Sequence, residues 1–182
     1  MTEPLPSFRY HPDPLRSGSV APSDATCRAC EVARGQVYTG PVFSEVDDLS
    51  DTLCPWCIAD GRAHQLFDAT FVDSEALDES IPPEAAATIT ERTPGFNSWQ
   101  SGRWPGCCHD ATAFVMPFGI VELRATHREL EGFVLSYIIH DMGISGGAAT
   151  RLLNALDLHQ GPTGYLFQCL ACENYHVHID HT

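Results

Sequence analysis

Apolar positions along this chain follow two different rhythms, and the change of rhythm divides it. Leu130, Phe133, Val134, Tyr137 and Ile138 recur at helical intervals, as do Ala149, Leu152, Leu153 and Leu156 beyond the glycine-rich break Gly143–Gly147. Such spacing gathers each set on one face, so two amphipathic helices are predicted between Ile120 and Asp157. Tyr165–Gln168, Tyr175–Asp180 and the apolar run Ala113–Phe118 are rich in aromatic and β-branched residues and predict strands. Pro82-Pro83-Glu84 opens a short helix that Pro94-Gly95 must end, because proline fits the first helical turn and no later one.

The N-terminal part is less regular. Residues 1–24, rich in Pro and Ser without a period, predict an extended arm laid on the body through Phe8 and Tyr10. Gln36–Phe43, apolar and aromatic around Gly40-Pro41, predicts a hairpin, and Ile58–Phe67 a helix weakened by Gly61. The expected organisation is an arm over 1–24, a small module over 25–80 and an α+β body over 81–182, joined in one compact unit.

Composition narrows the class. With 43% apolar and 19% charged residues, the 182-residue chain suits a folded domain, and no run approaches the ~20 apolar residues of a membrane span. A formal charge of −14, from 10 Lys plus Arg against 24 Asp plus Glu, disfavours nucleic acid, whose phosphates require clustered cations. The first residues, Met1-Thr2-Glu3-Pro4-Leu5-Pro6, carry neither the basic region nor the apolar run of a secretory signal, so a cytoplasmic location is expected. In that compartment thiols stay reduced, and paired cysteines serve metals more often than disulfides.

Six of the eight cysteines form Cys-x-x-Cys pairs: Cys27/Cys30, Cys54/Cys57 and Cys169/Cys172. Two such pairs can supply the four corners of a tetrahedral Zn²⁺ site. A knuckle at Cys27/Cys30, a hairpin, and then Cys54 and Cys57 at a helix start is the order of a treble-clef zinc finger, and the helix N-terminus favours thiolates. A redox dithiol at Cys54-Pro55-Trp56-Cys57 is disfavoured, because Glu45–Thr52 upstream is acidic and polar rather than a buried strand. Cys169/Cys172, between two predicted strands, has the setting of a zinc knuckle at a hairpin tip. Its candidate partners for a second ion are Cys108, with Cys107 or His109 as the fourth ligand, since neighbouring strand residues point to opposite faces.

The chain also carries Leu5-Pro6-x-Phe8-x-Tyr10-His11-Pro12-Asp13-Pro14, Tyr38-Thr39-Gly40-Pro41-Val42-Phe43, Leu53-Cys54-Pro55-Trp56-Cys57-Ile58-Ala59-Asp60-Gly61 and Arg92-Thr93-Pro94-Gly95-Phe96-x-x-Trp99-Gln100. Through these motifs, in this order, it resembles the CbrC-like family of bacterial proteins, named for a member linked to colicin tolerance. Trp104-x-x-x-Cys108-x-Asp110-x-x-x-Phe114 and Tyr165-Leu166-Phe167-x-Cys169-Leu170-x-Cys172 are similar to later motifs of that family. The resemblance implies no activity. On the residues themselves, the favoured reading is a zinc-binding protein whose metal is structural and which meets a protein partner. The alternative is a metal-dependent hydrolase, but no His-Glu-x-x-His spacing occurs, and Arg92, Trp99, Gln100, Asp110 and the His176/His178/Asp180 run each have a structural explanation.

Overall fold

The computed structural model describes residues 3–99 and 102–180. In its N-terminal half the arm joins the module as a strand. Val20–Pro22 (β1) pairs antiparallel with Gln36–Tyr38 (β2), Val20 opposite Tyr38. The expected hairpin over Gln36–Phe43 is therefore not formed, and Phe43 bridges Thr70 instead. Tyr38 supplies the reason. Its hydroxyl donates to the Pro41 carbonyl at 2.9 Å, curling the chain under its own ring, and a Cβ on Gly40 would come within 2.4 Å of that hydroxyl.

The single helix expected over Ile58–Phe67 is two, Pro55–Ala59 (α1) and Arg62–Phe67 (α2). Gly61 breaks them with φ of 79°, a left-handed conformation that costs glycine nothing. The proline-opened helix runs Pro83–Arg92 (α3) and stops before Pro94. Arg92 reaches across to α1 and donates from Nε and Nη2 to the Ala59 carbonyl at 3.0 and 2.8 Å, satisfying an acceptor that the helix end leaves open. Phe8, Tyr38, Leu53, Ile58 and Phe71 pack into one apolar cluster together with Cys27, Cys54 and Cys57.

The C-terminal half begins with a minimal hairpin, Gly106–Cys107 (β3) and Asp110–Ala111 (β4). Next come Ala113–Phe118 (β5), Ile120–Thr126 (α4), Glu131–His140 (α5), Gly147–Ala155 (α6), Thr163–Gln168 (β6) and Tyr175–Asp180 (β7). The strands form an antiparallel sheet in the order β5-β6-β7. Three helices thus stand where two were predicted. α4 has only seven residues and buries only Ile120 and Leu123, too few to register as a stripe.

Strand alternation splits the sheet's side chains between two cores. Leu166, Val177 and Ile179 face Leu123, Val134, Ile138 and Leu153 of the helices. Tyr165 and Phe167 face an aromatic layer with Phe96, Trp104 and Phe114, in which Phe96 stacks on Phe114 at 4.2 Å between ring centres. Gly164 lies opposite Phe118, whose ring comes within 2.3 Å of where a Cβ would be. The arm is pinned to this layer by His11, which is fully buried. Its Nδ1–H donates to the Pro94 carbonyl at 2.7 Å, so Nε2 of the neutral ring accepts from the Ser17 hydroxyl at 2.7 Å.

Candidate metal centres

The first knuckle is a tight turn closed by backbone. Glu31 N–H donates to the Cys27 carbonyl at 2.7 Å and Cys27 N–H to the Val32 carbonyl at 3.1 Å, with Glu31 at φ of 58°. Opposite it, Cys54 is the N-cap of α1 and Cys57 sits one turn inside, so a helical spacing of three turns both sulfurs to the same side. The sulfurs of Cys27, Cys30, Cys54 and Cys57 all lie within 4.8 Å of one another. Cys30 and Cys54 sulfurs are 3.9 Å apart, and Cys54 N–H points at the Cys27 sulfur at 3.3 Å. A tetrahedron with Zn–S bonds of ~2.3 Å has edges of ~3.8 Å.

The same turn recurs in the second half. Cys27-Arg28-Ala29-Cys30-Glu31 is matched by Cys169-Leu170-Ala171-Cys172-Glu173. Here Glu173 N–H donates to the Cys169 carbonyl at 3.1 Å and Cys169 N–H to the Asn174 carbonyl at 2.9 Å, with Glu173 at φ of 59°. The amides of Ala171 and Cys172 approach the Cys169 sulfur at 3.5 Å each.

Facing this knuckle is the β3–β4 hairpin. Cys107 pairs with Asp110 across a two-residue turn, Cys108-His109, whose φ values of 51° and 61° mark a type I′ geometry. The sulfurs of Cys107, Cys108, Cys169 and Cys172 lie within 4.8 Å of one another, with Cys107 at 3.8 Å from both Cys108 and Cys172. The expected conflict between neighbouring strand residues disappears, because Cys108 occupies the turn and not the strand. His109 stands outside the group, exposed at the turn.

Crowded thiols cannot all ionise by themselves. A hydrogen bond from Cys54, assisted by amides of Cys54, Cys30 and Ala29, lowers the Cys27 thiol to about 4. Burial and the Cys27 charge push Cys57 up to about 12, and Cys54 is likewise raised, first by its bond to Cys27. In the second group the Cys172 and Ala171 amides lower Cys169 to about 6, while Cys107 is pushed up to about 12 by its bond to Cys169 and by burial. Four thiolates coexist at such distances only around a cation, and an all-sulfur donor set suits Zn²⁺.

The surroundings of the first group fit the same ion. Arg34 Nε is buried with no hydrogen-bond partner, which is costly unless an anion faces it. Burial depresses the Arg34 guanidinium, but Cys30, Glu3 and Cys54 together hold its pKa above the ordinary value. A tetrathiolate zinc centre carries two net negative charges, and Arg34, which also covers the Trp56 ring at 5.5 Å, offsets part of them. No spacing in the sequence signals this role. The two groups differ in access: Cys27, Cys54 and Cys57 are buried, whereas Cys108 and Cys172 are exposed.

The remaining candidates are dispersed. Asp110 accepts from Arg9 at 2.7 Å and Tyr10 at 2.8 Å, tying the arm to the β3–β4 hairpin. Trp104 is a core residue whose Nε1–H donates to the Thr112 carbonyl, while Trp99 is exposed. His178 and Asp180 are bonded to each other at 3.0 Å. Gln100 lies outside the described residues. Among the described residues, no helix is long and apolar enough to cross a membrane.

No solved structure matches the chain. A UPF0167 protein of Pseudomonas aeruginosa is 40% identical over 183 residues, an alignment covering both chains in full. UPF0167 proteins of Mycobacterium bovis and Mycobacterium tuberculosis are each 38% identical over 177 residues, covering 97% of this chain and 93% of theirs. The model of the uncharacterised protein family UPF0167 matches residues 5–181, and the chain belongs to that family.

Proposed function

We propose that the chain is a cytoplasmic binding protein whose fold is held by two structural zinc ions, one in each group of four cysteines, and whose surface meets a protein partner. The carrying observation is the pair of four-sulfur groups with neighbouring sulfurs 3.8–3.9 Å apart, close to the edge of a zinc tetrathiolate. The Cys27/Cys30 and Cys54/Cys57 group is read as treble-clef-like, with the second strand taken from the arm. The Cys107, Cys108, Cys169 and Cys172 group joins two hairpin tips in the manner of a zinc ribbon.

Closed sulfur tetrahedra leave no vertex for an attacking water, so the two centres support a structural role over a hydrolytic one. Each ion would clamp segments far apart in sequence, which a small core does weakly without help. The CbrC-like resemblance is compatible with family membership and adds no activity. The test is stepwise chelation followed by near-ultraviolet circular dichroism. Loss of aromatic signal in step with zinc release supports the structural role, and a metal-free chain that keeps its native spectrum contradicts it.

A further inference from the structure

A cleft of about 710 Å³ is lined by Tyr175–His178 of β7, by Phe133 and Tyr137 of α5, and by Arg103. A second, of about 620 Å³, is lined by the carboxylates of Asp73, Glu75, Asp78 and Glu79 with Ala76 and Leu77 between them. Asp78, Arg103 and His178 line both, so the two meet at these residues.

The chemistry of this junction is organised from below. Asp180, 2% exposed, accepts from His178 Nε2 at 3.0 Å through one oxygen and from the Trp99 amide at 3.0 Å through the other. A buried carboxylate so placed keeps a proton on Nε2 and fixes the ring. Tyr165 stacks on that ring with centres 6.2 Å apart. Nδ1 is neither buried nor bonded among the described residues, and it is the nitrogen left for a ligand.

Beside it, Arg103 is exposed and bonded to no described side chain or carbonyl, whereas Arg9, Arg34 and Arg124 are held in ion pairs. The nearby Asp78 carboxylate accepts the Ser80 amide at 2.9 Å and hydroxyl at 2.6 Å through one oxygen; it forms no ion pair with Arg103, although the Arg103 charge helps Ser80 to hold its pKa below the usual carboxylate range. On the α5 side the cleft offers an apolar wall, with Phe133 39% exposed, and one further acid, Asp141. A guanidinium facing a cleft and held in no ion pair or hydrogen bond among the described residues is a recognition group for an anion with the planar fork that carboxylate and phosphate share.

We propose that this cleft binds a small organic molecule carrying one carboxylate or phosphate group, its head held by Arg103 and His178 and its apolar body laid against Phe133 and Tyr137. His178 donates to the anion from Nδ1–H while its Nε2–H stays on Asp180. Asp141, with Asp73, Glu75, Asp78 and Glu79 of the adjoining cleft, selects against a second anionic group and confines the anion to Arg103 and His178. Cys107 of the second four-sulfur group lines another part of the same cleft, but none of the groups proposed to hold the ligand is a cysteine.

The experiment is side-chain NMR of the zinc-replete full chain titrated with benzoate, phenyl phosphate and benzyl alcohol. Saturable shifts of the His178 ring and the Arg103 guanidinium are expected with one or both anions, and the tighter of the two identifies the head group. Benzyl alcohol should bind about tenfold more weakly or not at all, and Arg103→Gln should weaken the anion by about tenfold with zinc content unchanged, the loss of one charge-assisted contact. His178→Gln gives an independent reading of the same site. The proposal is overturned by absence of saturation up to about 20 mM, a range that reveals even millimolar binding. It is equally overturned by equal binding of the alcohol, by full affinity in both variants, or by shifts spread over Arg16, Arg62, Arg128 and Arg151.

Discussion

Mild acid should loosen the arm through His11. Burial lowers this imidazole from 6.5 to about 4, because protonation would place a charge in a site whose one carbonyl already takes the Nδ1–H. The folded pKa lies below the unfolded one, so the unfolded chain binds the extra proton first. The contribution is complete above about pH 6.5, falls as pH drops, and stops changing below about 4. At ~1.36 kcal/mol per unit the full range is about 3 kcal/mol, of which about 1 kcal/mol is already lost at pH 5.5. The assay compares urea unfolding of the wild-type chain and His11→Asn between pH 5.5 and 7.5 at fixed free zinc, so that acid effects on the thiolates cancel in the difference. The wild type should lose about 1 kcal/mol more than the variant over that range. Identical pH slopes, or a His11 ring that titrates near 6.5 in the folded protein, would show that the buried imidazole does not govern acid stability.

Replacing Cys57 by Ser should release the ion from the first group and expose residues 27–67 to protease, while 113–180 retain protection through their own sheet and helices; uniform protection would show that metal is dispensable there. Arg34→Met should weaken zinc at the first group by about tenfold with little effect on the second, read by competition with a chromophoric chelator. Because Cys108 and Cys172 are exposed and Cys27, Cys54 and Cys57 are buried, a chelator should remove the zinc in two phases, and Cys172→Ser should abolish the fast one. Phe114→Ala should destabilise the chain by about 3–5 kcal/mol, since it empties the centre of the aromatic layer; a loss under 1 kcal/mol would mean that Phe96 and Phe167 collapse into the gap.

The sequence made the local features readable and left the long-range ones hidden. Pro83 and Pro94 bracket α3, and the alternation of Tyr175–Asp180 marks β7, because each signal lies within one element. The curl that leaves β2 to pair with β1 depends on Tyr38, whose hydroxyl reaches Pro41 within its own motif and also accepts from the Gly95 amide at 3.1 Å, a contact with a motif far away in the chain. Cysteine spacing pointed to all four members of the first group, Cys27, Cys30, Cys54 and Cys57, but left the fourth member of the second open between Cys107 and His109. A Cys-His pair carries no usual signal for a type I′ turn, where Asn-Gly or Asp-Gly is the common choice, so the convergence of Cys107 and Cys108 could not be read from residue types. Nor could Arg34 be distinguished from a surface arginine, since its role depends on a buried Nε beside Cys30.

Zinc content combined with X-ray absorption at the zinc edge decides whether both four-sulfur groups hold metal. Two zinc ions per chain, each with four sulfur neighbours at about 2.3 Å, are the predicted result. One ion or none in protein purified under reducing conditions, or a shell containing nitrogen or oxygen in place of sulfur, would contradict the account.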